Sequence, residues 1–285
     1  MMLLMNTILR QAPVVLMHGI TDSKEGLTDF EKYLKDSIPD LYVLNCEVGN
    51  GYWDSLFMDM PSQIKELTNC IVNDVNLKNG FIALAHSQGG FLMRAYLETK
   101  SADMPKILRF ITLSSPLAGF FCGVTSKCGK FPVLPDFMNE IIDDLEYTDF
   151  IQNLLGPAAY WRNPYKLQQY LDYSPLLSQL DNEKSINANY KSNFLEPDLY
   201  VLFGSENDEV IQPHQSAWFG FFDSTDETVL KMEEREIYQN DNFGLKTLNT
   251  QNRIIRIETG MKHRENIENE TFVKENVVPW VKMDA

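Results

Sequence analysis

The sequence lacks the features expected of a nucleic-acid-binding or membrane-spanning protein. Its 25 Lys and Arg residues are outnumbered by 40 Asp and Glu, so the formal net charge is -15. Nucleic-acid affinity comes mainly from Lys and Arg side chains that displace counterions, so this balance excludes a DNA- or RNA-binding surface. No apolar run approaches the twenty or so residues of a transmembrane helix, and no transmembrane segment is expected.

Cysteine is scarce, with four in the chain: Cys46, Cys70, Cys122 and Cys128. None forms a Cys-x-x-Cys pair, which argues against zinc ribbons and thioredoxin-like redox sites. Cys122 and Cys128 bracket a short loop. Two interpretations of this pair are equally good: a local disulfide, which would favour an oxidising compartment, and two reduced thiols.

Cofactor motifs are also missing. Gly49 and Gly51 follow an apolar stretch, but Asp54 stands where the third glycine of a dinucleotide-binding motif would be. The sequence contains neither a Walker loop nor a His-Glu-x-x-His motif. We therefore expect no cofactor and no metal.

What the chain does contain is an alternation of strand and helix patterns. Its 285 residues and 44% hydrophobic content are enough for one large core, so we expect a single domain over residues 1–285. The alternation predicts an α/β fold whose central sheet is mostly parallel, with helices on both faces. Strands are predicted at 13–17, 41–44, 81–85, 107–113, 199–203 and 253–257, and helices at 28–36, 62–75, 91–98 and after the last strand.

One interval is too long for a single crossover helix. About eighty-five residues separate Leu113 from Leu199, and they carry several aliphatic and aromatic clusters. The sequence predicts a cap inserted between two strands, at about residues 117–197. Most of its apolar residues are expected to pack the cap onto the sheet, and the space beneath it would suit an acyl chain.

Ser87 lies at the junction of a strand pattern and a helix pattern. Residues 80–90 read Gly-Phe-Ile-Ala-Leu-Ala-His-Ser-Gln-Gly-Gly, and a helical pattern follows. This order is typical of a nucleophile elbow, in which a serine on a sharp turn needs small neighbours. Gly89 and Gly90 meet that need, and Ala85 replaces the first glycine of the usual Gly-x-Ser-x-Gly pattern. The alternative is an ordinary serine in a glycine-containing loop.

A serine nucleophile needs a histidine base and an acid that orients it, and four histidines are available. In the α/β-hydrolase fold the chain order is Ser, then Asp or Glu, then His. His18 and His86 precede or adjoin the serine, and His214 shares a loop with the candidate acids. His263, after the last predicted strand, is therefore the expected base.

The acid should follow the predicted strand at 199–203, where Glu206, Asp208 and Glu209 are candidates. We favour Asp208, because Asp is the commoner orienting acid and its short side chain is easily fixed near a turn; Glu206 is the alternative. For an oxyanion hole, the expected donors are the backbone N–H groups of Gln88, next to the serine, and Ile20, in the loop after the first strand.

Taken together, the motifs resemble those of palmitoyl-protein thioesterases over nearly the whole chain. They lie at residues 13–23, 85–90, 160–164, 207–208, 218–222 and 243–246, and the segments at 114–119 and 222–234 most resemble the second, lysosomal branch.

The resemblance implies an α/β-hydrolase that cleaves long-chain acyl thioesters with a triad of Ser87, Asp208 and His263, and with Ile20 and Gln88 as oxyanion donors. It also implies delivery to the lysosome or secretory pathway. The substrate would be an acyl-protein or acyl-CoA. Two alternatives share the fold: a lipase or carboxylesterase that acts on oxygen esters, and an inactive acyl-binding protein.

Overall fold

Runs of β-branched and aromatic residues form the strands of a central sheet. The computed structural model describes residues 11–121, 147–174, 176–224 and 228–282. Six strands pair in parallel in the order β2-β1-β3-β4-β5-β8, and β6 and β7 form a separate antiparallel pair. The strands are β1 (Val14–Met17), β2 (Val43–Cys46), β3 (Phe81–His86), β4 (Ile107–Leu113), β5 (Leu199–Gly204), β6 (Phe221–Phe222), β7 (Val229–Leu230) and β8 (Ile254–Glu258).

Helices connect the strands. The α-helices of the described residues are α1 (Thr28–Ser37), α2 (Asp54–Phe57), α3 (Met60–Val72), α4 (Gln88–Thr99), α5 (Asp149–Leu154), α6 (Leu167–Tyr173), α7 (Leu177–Leu180), α8 (Ala188–Phe194), α9 (Glu236–Gln239), α10 (Leu245–Thr250), α11 (Glu265–Glu268), α12 (Glu270–Phe272) and α13 (Val278–Val281). Short 3-10 helices span Lys24–Leu27, Val75–Leu77, Gly156–Tyr160, Pro164–Lys166, His214–Trp218 and Met232–Glu234. None of the helices within these ranges has the length and apolar character needed to cross a bilayer.

Successive strand residues point to opposite sides of the sheet, and each side packs against helices, so both faces are buried. In β3, Phe81 and Ala83 belong to the core cluster that contains α4, whereas Ile82 and Leu84 belong to the cluster that contains α1 and the closing helices. This two-sided parallel sheet confirms the predicted α/β-hydrolase fold.

The predicted element boundaries needed small corrections. β2 begins at Val43, two residues after the predicted start, and α3 begins at Met60 with Asp59 as its N-cap, since the Asp59 carboxylate accepts from Ser62 N–H at 2.9 Å. The closing helix is broken by a π-helical turn at Val273–Val277. Pro279 in α13 has no N–H to continue the ladder, which explains the break.

The segment between β4 and β5 is bound to the helix that follows Ser87. Arg94 of α4 is fully buried and donates to Glu98 Oε1, to Asp181 Oδ1 and to Leu117 O, each at 2.6 Å. Its guanidinium also lies 4.7 Å from the Phe243 ring centroid. A buried charge is retained only when it is well paired, and here the pairing joins α4 to the inserted segment.

A disulfide between Cys46 and Cys70 links the end of β2 to α3. This is not the pair, Cys122 and Cys128, for which the sequence left a local disulfide and two reduced thiols as alternatives. Both of those residues lie outside the described ranges, as do residues 122–146 of the predicted cap.

Candidate active site

Ser87 occupies a strained turn between β3 and α4. Its backbone has φ 54° and ψ -130°, a conformation that a residue with a Cβ adopts only when the surrounding structure imposes it. Its N–H donates to Leu113 O at 2.9 Å. Side chains are excluded at the two glycines that follow: a Cβ would lie 2.3 Å from Met17 O at Gly89, and 2.1 Å from Ser115 Oγ at Gly90.

Ala85 fits at the position where the usual motif has glycine. It pairs with Met17 and Thr112 in the neighbouring strands, and its methyl group is buried in the larger core cluster. The two glycines after Ser87, rather than position 85, permit the close approach of α4 to the sheet.

Asp208 and His263 are in direct contact. His263 Nδ1 lies 3.0 Å from Asp208 Oδ1 and 2.9 Å from Oδ2. Asp208 Oδ1 also accepts from the N–H groups of Val210 and Ile211 at 2.8 and 2.9 Å. Burial favours the neutral acid, but the hydrogen bond to His263 and these backbone donors outweigh it and hold the pKa of Asp208 below its usual value. The acid is therefore ionised at neutral pH and accepts the Nδ1 proton.

Other candidates from the sequence have different partners. Glu206 is exposed, whereas Glu209 accepts from the backbone N–H of His263 at 3.1 Å and so fixes the loop rather than the ring. His214 begins a short 3-10 helix and lies edge-on to Trp218. The imidazole of His18 is buried, with Nε2 2.6 Å from Glu47 Oε1.

His86 contributes to the site in a way that the sequence did not indicate. It is buried, and its ring centroid lies 4.7 Å from that of His263. Its Nε2 lies 3.1 Å from the backbone oxygen of His263, and because a carbonyl only accepts, Nε2 carries the proton. Burial, then the charge of His263, lowers the pKa of His86 well below its usual value. His86 is thus a neutral donor that fixes the His263 backbone; its only sequence signal was adjacency to Ser87.

The loop after β1 passes directly against Ser87. A Cβ on Gly19 would lie 2.8 Å from Ser87 Cβ and 3.3 Å from its Oγ, so only glycine fits. Ile20 follows Gly19, and Gln88 follows Ser87, so both expected oxyanion donors belong to residues next to this contact. Thr21, with φ 50°, completes the turn.

Aliphatic side chains of the inserted segment lie beside this loop. Leu56 of α2 and Ile151, Leu155 and Ala158 of the insertion form a small buried cluster, against which the partly buried Ile20 packs. A separate cavity of about 320 Å³ is lined by Arg162, Glu183 and Arg235 among others, and none of Ser87, Asp208 and His263 lines it.

Comparison with known proteins identifies the family. The model of the palmitoyl protein thioesterase family matches residues 13–263. Palmitoyl-protein thioesterase 3 of Dictyostelium discoideum is 35% identical over 89% of this chain and 85% of that protein. Lysosomal thioesterase PPT2-B of Xenopus laevis is 32% identical over 94% and 92%, and human lysosomal thioesterase PPT2 is 31% identical over 94% and 87%. These matches confirm the predicted resemblance and enzyme class: the chain belongs to the palmitoyl protein thioesterase family of thioester hydrolases.

Proposed function

We propose that this protein hydrolyses long-chain fatty acyl thioesters, including palmitoyl thioesters, with Ser87 as nucleophile, His263 as base and Asp208 as orienting acid. The contact of Asp208 with His263 Nδ1 is the observation that carries the proposal. A carboxylate accepts the Nδ1 proton, which leaves Nε2 free to take a proton from a serine hydroxyl. The strained turn at Ser87 supports the assignment of the nucleophile.

In this mechanism His263 Nε2 takes the Ser87 proton while Oγ attacks the thioester carbonyl carbon. The N–H groups of Ile20 and Gln88 stabilise the oxyanion, the C–S bond breaks, and the thiol leaves with the proton from His263. Water then attacks the acyl-enzyme with His263 as base, which releases the fatty acid and restores Ser87. Since a thiol has a pKa of about 8.5, far below that of an alcohol, oxyanion stabilisation matters more than protonation of the leaving group.

We also propose that the inserted segment, residues 117–197, acts as a cap within a single domain and contributes apolar surface to the acyl chain. The aliphatic cluster of Leu56, Ile151 and Leu155 against Ile20 supports this role, because it places hydrocarbon beside an expected oxyanion donor. Hydrolysis rates on acyl-CoA substrates of 8 to 18 carbons test it. A rate that does not depend on chain length would contradict an acyl-binding cap.

Delivery to the lysosome is part of the proposal. Two of the relatives described above are named lysosomal thioesterases, and the Cys46–Cys70 disulfide is typical of proteins that fold in an oxidising compartment. Imaging of the tagged full-length protein together with a lysosomal marker tests this. Accumulation in the cytosol would contradict it.

The deciding experiment compares the wild type with Ser87→Ala on matched substrates. We expect the wild type to cleave palmitoyl-CoA and an S-palmitoylated peptide faster than p-nitrophenyl palmitate, and Ser87→Ala to have lost all three activities with an unchanged Tm. Thioester turnover by the variant would exclude the nucleophile assignment. A preference for the oxygen ester would favour a lipase or carboxylesterase. An inactive acyl-binding protein would resist labelling of Ser87 by a fluorophosphonate probe.

A further inference from the structure

Ser55 on α2 is bonded to both segments that supply the proposed oxyanion donors. Its Oγ accepts from the backbone N–H of Thr21, next to Ile20, at 2.8 Å. Its carbonyl oxygen accepts from the side-chain amide of Gln88 at 2.7 Å. Ser55 is 1% exposed, so water does not replace these bonds. One residue therefore links the loop after β1 to the first residue of α4.

The loop needs such support. Thr21 has φ 50°, a left-handed conformation that is unfavourable for a β-branched residue unless contacts hold it. The bond from its N–H to Ser55 fixes the peptide group between Ile20 and Thr21. The Ile20 N–H lies in the preceding peptide group, so a fixed Ile20–Thr21 peptide limits rotation about the Ile20 Cα and thereby the direction of that N–H.

The partners of the Ser55 hydroxyl define its role as acceptor. The hydroxyl donates its own proton to Tyr52 O at 2.7 Å, which leaves a lone pair for the Thr21 N–H. On the other side, the Gln88 amide is held by three partners. It donates to Ser55 O and to Gln63 Oε1, and its oxygen accepts from Tyr160 OH at 2.9 Å.

We propose that the Ser55 hydroxyl positions the oxyanion hole: through its bond to Thr21 it sets the direction of the Ile20 N–H toward the oxyanion. This inference rests on the proposed function, since it presupposes attack by Ser87. The Ser55 hydroxyl acts through Thr21 and is not bonded to Ser87. Its loss is expected to weaken binding of the tetrahedral state more than binding of the substrate.

The test compares two ligands on Ser55→Ala. A long-chain alkyl trifluoromethyl ketone adds the Ser87 oxygen to its carbonyl and places an oxyanion in the hole, whereas S-hexadecyl-CoA, a thioether, has no carbonyl to polarise. Loss of a whole oxyanion donor costs about 10²–10³-fold in rate, so a displaced donor is expected to weaken the ketone about tenfold or more. The inhibition constant of the thioether should change less than about twofold.

Matched variants separate positioning from folding. Ser37→Ala removes a half-buried hydroxyl of α1, outside the insertion and the site, that donates to Tyr33 O at 2.8 Å, and it should leave both inhibition constants unchanged. Ser55→Thr retains the acceptor and should restore ketone affinity. If Ser55→Ala does not fold, Ser55→Cys replaces it, since a thiol of similar size is a weak acceptor.

The inference is wrong if Ser55→Ala, or its Cys replacement, binds the ketone as the wild type does, or if both ligands weaken by the same factor. Failure of the proposed function has a different signature, because Ser87→Ala would then still hydrolyse palmitoyl-CoA. A variant set in which Ser87→Ala is inactive and Ser55→Ala is unaffected overturns only the role of Ser55.

Discussion

Asp208 and His263, 55 residues apart in the chain, meet through both carboxylate oxygens, at 3.0 and 2.9 Å from Nδ1. The sheet explains this contact. β5 and β8 are adjacent and parallel, and Gly204 pairs with Glu258 at their carboxyl ends. The loops that follow them therefore leave the same edge of the sheet and converge.

Replacement of Asp208 by Asn should abolish most activity without unfolding the protein. The amide NH₂ can donate to Nδ1, which favours the tautomer with its proton on Nε2, and that tautomer cannot accept the Ser87 proton. We expect kcat on palmitoyl-CoA to fall by roughly 10⁴, the loss seen when the acid of a serine triad becomes an amide.

Glu206→Gln is the matched control for this prediction. It removes one negative charge two residues away, from an exposed side chain. We expect it to retain more than half of the wild-type kcat. An equal loss of activity in both variants would mean that charge in this loop, and not the contact with His263, is responsible.

Gly19→Ala should reduce activity through the position of Ser87. The added methyl group would lie 2.8 Å from Ser87 Cβ, so the loop or the serine must shift. A displacement approaching 1 Å costs about 10²-fold in rate, and we expect kcat/KM to fall by about that factor. Ala85→Gly, which restores the usual motif on the other side of Ser87, should keep kcat/KM within about threefold. The prediction fails if the two variants have similar activity.

The fold could be predicted largely from the sequence because its strands carry a strong apolar pattern. The buried polar contacts could not. Arg94 and Glu98 have the i, i+4 spacing of an exposed helical ion pair, yet both are fully buried because the insertion covers α4. Burial of this kind depends on a segment far away in the chain, which a local pattern cannot reveal.

The residues of the candidate site likewise divide into those that the sequence could identify and those that it could not. Asp208 and His263 could be selected by chain order and by the resemblance to a family, because their positions follow from the order of strands. The contributions of Ser55 and His86 depend on three-dimensional contacts with Thr21 and with His263. Nothing in the sequence around Ser55 distinguishes it from an ordinary helix serine, and the position of His86 next to Ser87 does not reveal its contact with His263.

Removal of the Cys46–Cys70 disulfide should lower stability but preserve the site. The bond closes a loop with a sequence separation of 24, for which chain entropy gives about 3 kcal/mol. For a protein of this size we expect the Tm of a variant with both residues changed to Ala to fall by roughly 5–6 °C. Its kcat at 25 °C should stay within about twofold of the wild type. An unchanged Tm would show that the closed loop is not constrained by this bond.

Glu98 should make stability fall as the pH rises. Burial, opposed by the charge of Arg94, raises the pKa of Glu98 from 4.5 to about 8 in the folded protein. Between about pH 4.5 and 8 the folded state therefore holds a proton that the unfolded state releases. The contribution of Glu98 to the free energy of unfolding is complete below about pH 4.5 and is lost as the pH approaches 8. Glu98→Gln removes this titration. We therefore expect the difference between the Tm of the variant and that of the wild type to increase from pH 5 through pH 6.5 to pH 8. The exposed Glu25→Gln should not show this trend. A Tm of Glu98→Gln that decreases relative to the wild type between pH 5 and pH 8 would contradict the prediction.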